Sequence, residues 1–381
     1  MNRGDRWLLV LPLWLTAYGV VMVYSSSAIL AITRYQDPNY FLVRQVVRAM
    51  LGALVLLVCA RSDLKRLERA APRLLGAACL LLLLVVVIGH RANGATRQLR
   101  MGLLTLSPID VARLAAVVFL AFWLKRRPPA ELGFVRGVLV PLGIVGVVAA
   151  LVLKQPNLSS ALLLGATGFG MLFLAGARLR HLAPPLGAGA VLLLVVVGLR
   201  PYQMGRVSTF LRFLTTGDLD RQGAGWNLDQ SLIAIGSGGW LGRGLGGSLQ
   251  KYLFLPEPHT DFIFSILAEE LGFVGVSMVL SLFAVLLWRC LRVVARAEDT
   301  FQFLLAGGLT LQIGLYVLVN VGVATGLLPT TGLPLPFVSY GGSALLANMA
   351  ASGLLYRISV ANGSPDALTR KRWSASGAAT R

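Results

Sequence analysis

What most constrains this chain is a stretch of apolar residues that returns from one end to the other. Runs at roughly 7–31, 41–60, 73–89, 108–124, 134–153, 157–176, 182–199, 261–288, 301–325 and 337–359 carry few charges. Each is close to the length, about 17–25 residues, that a helix needs to cross roughly 30 Å of hydrocarbon. Hydrocarbon offers no hydrogen-bond partner, so a spanning backbone must satisfy itself as a helix or a closed barrel. The runs do not alternate apolar and polar residues, which excludes a barrel. The expected fold is therefore all-α, a polytopic membrane protein of about ten transmembrane helices. Composition agrees: the 381 residues are 56% hydrophobic and only 13% charged, with a mean hydropathy of +0.73.

The net charge of +19 does not point to nucleic acid, because the basic residues punctuate the apolar runs and form no continuous stripe. They read instead as topological signals. The segment 61–73 holds five basic residues, and 125–127, 178–181, 289–296 and 370–372 are basic too. With alternating helices all of these fall on the side of the N-terminus, which the positive-inside rule makes cytoplasmic. The expected boundaries are a transmembrane domain over 1–361 and a disordered, basic cytoplasmic tail over 362–381. A large extracytoplasmic loop, about 200–260, lies between helices 7 and 8, and its Gly and aromatic content predicts a folded loop. Cys59, Cys79 and Cys290 have no metal-ligand or disulfide spacing and read as packed apolar residues. No small-residue cleavage site follows the first run, so that run is expected to be retained.

One stretch resists this apolar logic. "LPEPHTDFIFSILAEELG" (255–272) brings Glu257, His259, Asp261, Glu269 and Glu270 to the boundary of the eighth run. Pro256 and Pro258 favour an extended approach, and Thr260 or Asp261 is expected to cap the helix that follows. Glu269 and Glu270 lie deeper, about 100° apart on a helix, so they are expected to face different ways, one of them pairing with a basic residue. His259 reads as a packed residue, since no second His or Cys stands near it.

This stretch and "GLLPTTGLPLPFVSYGGSALL" (326–346) resemble the two signature regions of the shape, elongation, division and sporulation family. Weaker matches are "VMVYSSSA" (21–28), "YFLVRQ" (40–45), "LSPIDVARL" (106–114), "QPNLSSA" (155–161) and "GAGWNLDQSLIAIGSGGWLGRGLG" (223–246). The resemblance spans about residues 7–360, and "SLQK" (248–251) and "VYSSSA" lean towards the division branch. There are departures from the family pattern. A Gln-Pro-Ser-Glu head with Lys three residues on appears as Ser107-Pro108-Ile109-Asp110 with Arg113. Arg-Trp-Ile appears as Arg97-Gln98-Leu99, and Gly-Tyr-Gln as Gly225-Trp226-Asn227. The spacing of Asp110 and Arg113, i and i+3, suits an ion pair on one helix face.

The resemblance implies a peptidoglycan glycosyltransferase that polymerises lipid II at the outer face of the bacterial cytoplasmic membrane, in septal wall synthesis. The alternatives are the elongation branch of the same family and a lipid II flippase. The implied chemistry needs a base for a sugar hydroxyl and positive charge for the departing pyrophosphate. Asp261 is the catalytic residue by resemblance, against the competing reading of a helix cap. Glu257 is an expected substrate contact, and with Asp261 it could hold a divalent cation, Mg or Mn; no covalent cofactor is expected. Lys251, Arg48 and Arg113 are expected at the pyrophosphate, along with Arg243, Arg44 and Arg206, and Asp110 is the partner of Arg113. The glycines beside Ser339 and Ser343 could offer backbone N–H groups to phosphate, or simply allow close helix packing. The implied partners are lipid II, a class B penicillin-binding protein supplying the transpeptidase, and other membrane proteins of the division complex.

Overall fold

The structure, a computed structural model, describes residues 4–88, 90–92, 95–101, 104–219, 223 and 225–363, with only the backbone for those between 88 and 106. The predicted tail lies outside the described residues from 364 onwards. The chain runs through α1 (Trp7–Tyr35), α2 (Tyr40–Ala60) and α3 (Leu64–Ile88) into three short strands, β1 (His90–Ala92), β2 (Ala95–Met101) and β3 (Leu104–Leu106). It continues through α4 (Pro108–Arg126), α5 (Pro129–Phe134), a π-helical turn (Val135–Leu139), α6 (Val140–Lys154), α7 (Leu158–Leu174) and α8 (Leu179–Gly198). Then come α9 (Pro201–Thr216), α10 (Trp226–Gly238), α11 (Ile263–Arg296), α12 (Thr300–Ala324) and α13 (Gly342–Asn362).

The polytopic helical reading holds. Among the described residues, eight helical segments are long and apolar enough to cross a membrane: α1, α2, α3, Glu131–Lys154, α8, α11, α12 and α13. The helix α7 is apolar but shorter, and α4 carries Asp110 and Arg113 within its buried face. Helix ends follow local chemistry. Asn157 closes the "KQPN" turn by accepting from the Ser160 N–H at 3.2 Å, and Asp299 caps α12 by accepting from the Gln302 N–H at 3.2 Å. The most buried spans are α12 and α13, each with 67% of its apolar window inside the protein, against 11% for α8. The first two form the centre of the bundle, and α8 is a lipid-facing wall.

Four sequence expectations change in detail. The all-α bundle also carries a small antiparallel sheet, β1, β2 and β3 in chain order, between α3 and α4. The basic segment 61–73 is mostly helix: α3 starts at Leu64, with Leu64 and Ala71 one heptad apart on its buried side and Lys65, Arg66 and Arg69 exposed. The long loop between α8 and α11 holds two helices, α9 and α10. The eighth span is broken, since Gly272 sits at φ 64°, ψ −166° in the middle of α11.

That break is matched by a second segment. In an unbroken helix the N–H groups of Phe273 and Val274 would bond to the carbonyls of Glu269 and Glu270. Here they donate to the carbonyls of Gly239 (2.9 Å) and Trp240 (3.1 Å), while the Glu269 and Glu270 carbonyls accept from Arg243 N–H (3.0 Å) and Gly244 N–H (2.9 Å). The backbones touch so closely that a Cβ on Gly272 would lie 2.3 Å from the Gly242 nitrogen, and one on Gly238 would lie 2.0 Å from the Ala268 oxygen. Helix α10 and the "GSGGWLGRGLGG" segment are thus a re-entrant element docked on α11, with every backbone group displaced by the break taken up again.

This stitch generates a prediction. Gly242 has φ +77°, and a Cβ there would sit 2.2 Å from the Glu270 oxygen. Gly242→Ala is expected to cost at least about 2 kcal/mol, from the left-handed backbone and the forced separation of the two segments. The thermal midpoint of the solubilised protein should drop by several degrees. Gly236→Ala, in α10 with open space around it, should leave the midpoint unchanged or raise it.

Candidate active site

The loop into α11 is wound tightly around Glu257. Held between Pro256 and Pro258, this residue has φ 49°, and its carbonyl accepts from the N–H groups of Thr260 and Asp261 (3.2 Å each) and from Thr260 Oγ1 (3.2 Å). Helix α11 then begins at Ile263, with Phe262 in the capping position and no side-chain cap. The expected cap by Thr260 or Asp261 is therefore absent: the Glu257 turn moves the helix start past them. Asp261, partly exposed, lies just ahead of the helix start.

Two further segments meet this turn. The loop between α12 and α13 passes beside Asp261, where a Cβ on Gly332 would come within 3.1 Å of Asp261 Oδ2. The same loop is folded by Ser339, whose Oγ accepts from Leu335 N–H (2.8 Å) and whose N–H donates to the Leu335 carbonyl (3.0 Å). Tyr340 N–H donates to the His259 carbonyl at 2.9 Å, joining the two signature regions directly. From α2, Gln45 Nε2 reaches the Ser339 carbonyl (3.5 Å), and Arg48 lies with its guanidinium carbon 4.3 Å from the Tyr340 ring centre. Arg48 is 2% exposed and packs against Gly342, where a Cβ would fall 2.9 Å from Nε. This contact explains the second glycine of "SYGGS".

His259 lies between Phe41 and Tyr340, with ring centres at 4.6 Å and 5.3 Å. Burial, reinforced by the positive charges of Arg34 and Arg48, lowers its pKa to about 4. It is therefore neutral at physiological pH, consistent with a packed aromatic rather than a proton carrier. Arg44 covers the Tyr40 ring at 3.4 Å, and Tyr40 stacks on Tyr35. Arg206 on α9 donates to the Thr330 carbonyl at 3.1 Å, so it reaches the loop that flanks Asp261.

Other expected site residues have different surroundings. Lys251 Nζ is 3.0 Å from Glu270 Oε1 and 2.6 Å from the Gly246 carbonyl, with both charged side chains buried. Ser25 Oγ donates to Glu270 at 2.7 Å. Glu269 accepts from Ser248 Oγ (2.5 Å), Leu249 N–H (2.9 Å) and Gln250 N–H (3.3 Å), with Arg243 3.7 Å away. The two glutamates do not face different ways as expected: both grip 243–251, and Ser248 donates to each, through Oγ to Glu269 and through N–H to Glu270. The expectation that one pairs with a basic residue holds, and it extends to both. Lys251 is thereby committed to a clamp that holds the re-entrant segment. Asp110 and Arg113 pair as the spacing predicted, at 2.5 Å and deeply buried, with Arg113 also 4.0 Å from the Tyr316 ring centre. Ser343 Oγ accepts from Ser107 N–H at 2.9 Å, so the starts of α4 and α13 are tied together. Among the described residues no group of three His, Cys, Asp or Glu side chains could hold a metal ion. Asp261 and Glu257 thus have no third such ligand among the described residues.

Sequence reasoning passed over Asn320, which donates through Nδ2 to the carbonyls of Asp261 (2.9 Å) and Leu333 (2.8 Å). A lone amide in the apolar run "YVLVNVGVA" was the available signal, since such a group in a spanning helix requires partners.

The buried pair on α4 has a measurable consequence. Removing either charge leaves the other unpaired in a low-dielectric site, at a cost of about 3–5 kcal/mol. Asp110→Asn and Arg113→Met should each lower the thermal midpoint strongly, and the double variant should be more stable than the worse single one. Purely additive losses in that cycle would refute the coupling.

With this geometry in view, comparison with known proteins is direct. The model of the Cell cycle protein family that groups FtsW, RodA and SpoVE matches residues 6–363. The probable peptidoglycan glycosyltransferase FtsW of Trichlorobacter lovleyi is 39% identical over 93% of each chain. That of Halorhodospira halophila is 43% identical over 89% of this chain and 86% of its own. Among solved structures, a chain from a peptidoglycan synthase complex that coordinates polymerization and crosslinking superposes with a TM-score of 0.79 at 33% identity, covering 95% of this chain and 99% of that one. The rod shape determining protein RodA of Thermus thermophilus gives 0.68 at 30% identity, covering 93% and 96%. The family match runs from the start of α1 to the end of α13 and takes in every residue of the site, so the chain belongs to the FtsW, RodA and SpoVE family of cell cycle proteins, the shape, elongation, division and sporulation family.

Proposed function

We propose that this membrane protein is a peptidoglycan glycosyltransferase that polymerises lipid II at the outer face of the bacterial cytoplasmic membrane during septal wall synthesis, with Asp261 as the general base. The observation that carries this reading is the state of Asp261. It precedes the helix start, it is partly open to solvent, and its backbone is fixed by the Glu257 turn and by Asn320. A carboxylate on a backbone so held stands at a set position at the membrane boundary, as a general base for a hydroxyl requires. In the reaction, a sugar hydroxyl of one lipid-linked disaccharide forms a bond to the anomeric carbon at the lipid-linked end of the growing strand. The bond from that carbon to the pyrophosphate breaks and its electrons leave with the polyprenyl pyrophosphate. The hydroxyl proton passes to Asp261.

Positive charge for the leaving group comes from Arg48 and Arg44 on α2 and from Arg206 on α9, all placed on segments that touch the Asp261 turn or its neighbouring loop. Glu257 stands at the same turn to orient the acceptor. The backbone around Ser339 and Ser343 borders Arg48 and gives the pyrophosphate its polar wall, while Lys251 and the Asp110–Arg113 pair support the site from behind. Asp261 and Glu257 are the side chains that would hold a Mg or Mn ion, which would supply positive charge to the departing pyrophosphate.

The reading extends to topology and partners. Ten crossings with both termini cytoplasmic follow from the basic segments and put the Asp261 turn outside. The likeness to a chain of a peptidoglycan synthase complex that coordinates polymerization and crosslinking supports a class B penicillin-binding protein as partner, together with other membrane proteins of the division complex. The relatives named FtsW favour the division branch over the elongation branch.

The test is a polymerisation assay with solubilised protein, its penicillin-binding partner and lipid II. Detergent micelles have no two sides, so transport cannot contribute. Wild-type protein should make glycan strands, with a rising limb in the pH–rate profile for ionisation of the base. Asp261→Asn should reduce the rate by about 100-fold or more, the usual range for loss of a general base, with an unchanged thermal midpoint. Strand synthesis at the wild-type rate by this variant would sink the assignment. Absence of polymer from the solubilised complex, together with Asp261-dependent movement of lipid II across liposomes, would establish a transporter instead.

A further inference from the structure

We propose that Asn320, acting together with Gly332, positions the Asp261 carboxylate for the reaction. The inference rests on the reading of Asp261 as the base and deepens it. Asn320 lies one turn before the end of α12, 1% exposed, in an otherwise apolar run. An amide is a costly group to bury in such surroundings, and it is retained only where its hydrogen bonds do something an apolar side chain cannot.

Its donors have a particular task. The single Nδ2 nitrogen gives one hydrogen bond to the Asp261 carbonyl (2.9 Å) and one to the Leu333 carbonyl (2.8 Å). It therefore bridges two loops that no shared helix connects, the turn entering α11 and the loop entering α13. The residue next to Leu333 is Gly332, and the bridge brings its backbone against the carboxylate: a Cβ there would lie 3.1 Å from Asp261 Oδ2 and 3.8 Å from Cγ. The other amide atom, Oδ1, has no hydrogen-bond partner among the described residues. The donors alone therefore define the function of the side chain. Both recorded donor bonds of Asn320 go to backbone carbonyls, so it is a positioning residue, and Gly332 is the surface against which the carboxylate is set.

Three variants test this in the solubilised polymerase complex. Asn320→Leu keeps the volume and suits the apolar helix but removes both donors. Asn320→Gln returns an NH2 group on a longer stem. Gly332→Ala adds one methyl group beside Oδ2 at a position whose φ lies outside the left-handed region, so the backbone accepts it. For Asn320→Leu and Gly332→Ala we expect kcat per folded protein to fall at least tenfold, with KM for lipid II changed less than threefold. The rising limb of the pH–rate profile should move, because it reports the surroundings of the Asp261 carboxylate. Asn320→Gln should recover part of kcat and part of the limb position. A purely structural pin would lower the thermal midpoint of Asn320→Leu while the remaining folded protein kept the wild-type kcat and limb, and that result overturns the proposal. Should Asn320→Leu fail to fold, Gly332→Ala decides: wild-type kcat and limb overturn the proposal, and a lower kcat with a moved limb supports it. An active Asp261→Asn would instead remove the reading on which the proposal rests, so the two failures are distinguishable.

Discussion

The arrangement turns on an exchange of backbone hydrogen bonds at Gly272. A helix broken inside a membrane leaves peptide groups that neither lipid nor water can satisfy. Here those groups are met by 239–244, and the same contact seats α10 and delivers the chain to the Glu257 turn. Closeness of the two backbones requires glycine at 238, 242 and 272, while Gly239 and Gly244 serve a left-handed backbone with open space around it. Glu269 and Glu270 then add side-chain bonds along 248–251, with Lys251 neutralising Glu270 in the interior. Without this docking, the residues leading to Asp261 would have no fixed path over the bundle.

From that base the site is assembled by loops lying on rigid helices. The α11 turn supplies Asp261, the α13 loop supplies Gly332 and Tyr340, and α2 supplies Arg48. Bonds between the loops are mostly from or to backbone: Tyr340 N–H to the His259 carbonyl, Gln45 to the Ser339 carbonyl, Asn320 to two carbonyls. Such bonds set the course of the main chain while leaving side chains available for substrate. Preorganisation of this kind lets charged groups act without reorganising during the reaction.

Much of this was legible in the sequence. The apolar runs located the helical bundle because length and hydropathy are local properties. The pair Asp110–Arg113 was legible from helical spacing, and the cluster at 257–261 from the expense of placing charge among apolar residues. What was not legible depended on contacts between distant segments. Gly272 looked like an ordinary helical glycine, since nothing local announces that 239–244 packs against it. Capping by Asp261 was the natural local expectation, and it failed because Glu257 closes a turn that delays the helix. Lys251 was read for the charge it could offer a phosphate, whereas Glu270, distant along the chain, already takes that charge. Helix α3 began earlier than its hydropathy suggested because its first turns bury a narrow stripe beneath basic side chains.

The two ends of the bundle are held by different forces. Helix α4 starts beside α13, where Ser107 meets Ser343, and reaches Lys125 about 26 Å further along its axis. There Lys125 lies 3.0 Å from both Glu68 and Asp299, joining α3, α4 and α12, with Lys125 and Asp299 30% and 41% exposed. Mobile ions screen a knot of that kind, and the Debye length shrinks to about 3 Å at 1 M salt. At the end that holds the site, the Lys251–Glu270 and Asp110–Arg113 contacts are shielded from solvent, and most other ties involve peptide hydrogen bonds, on which dissolved ions have little purchase. Ionic strength is thus a lever that loosens the far end of the molecule while leaving the site's geometry in place.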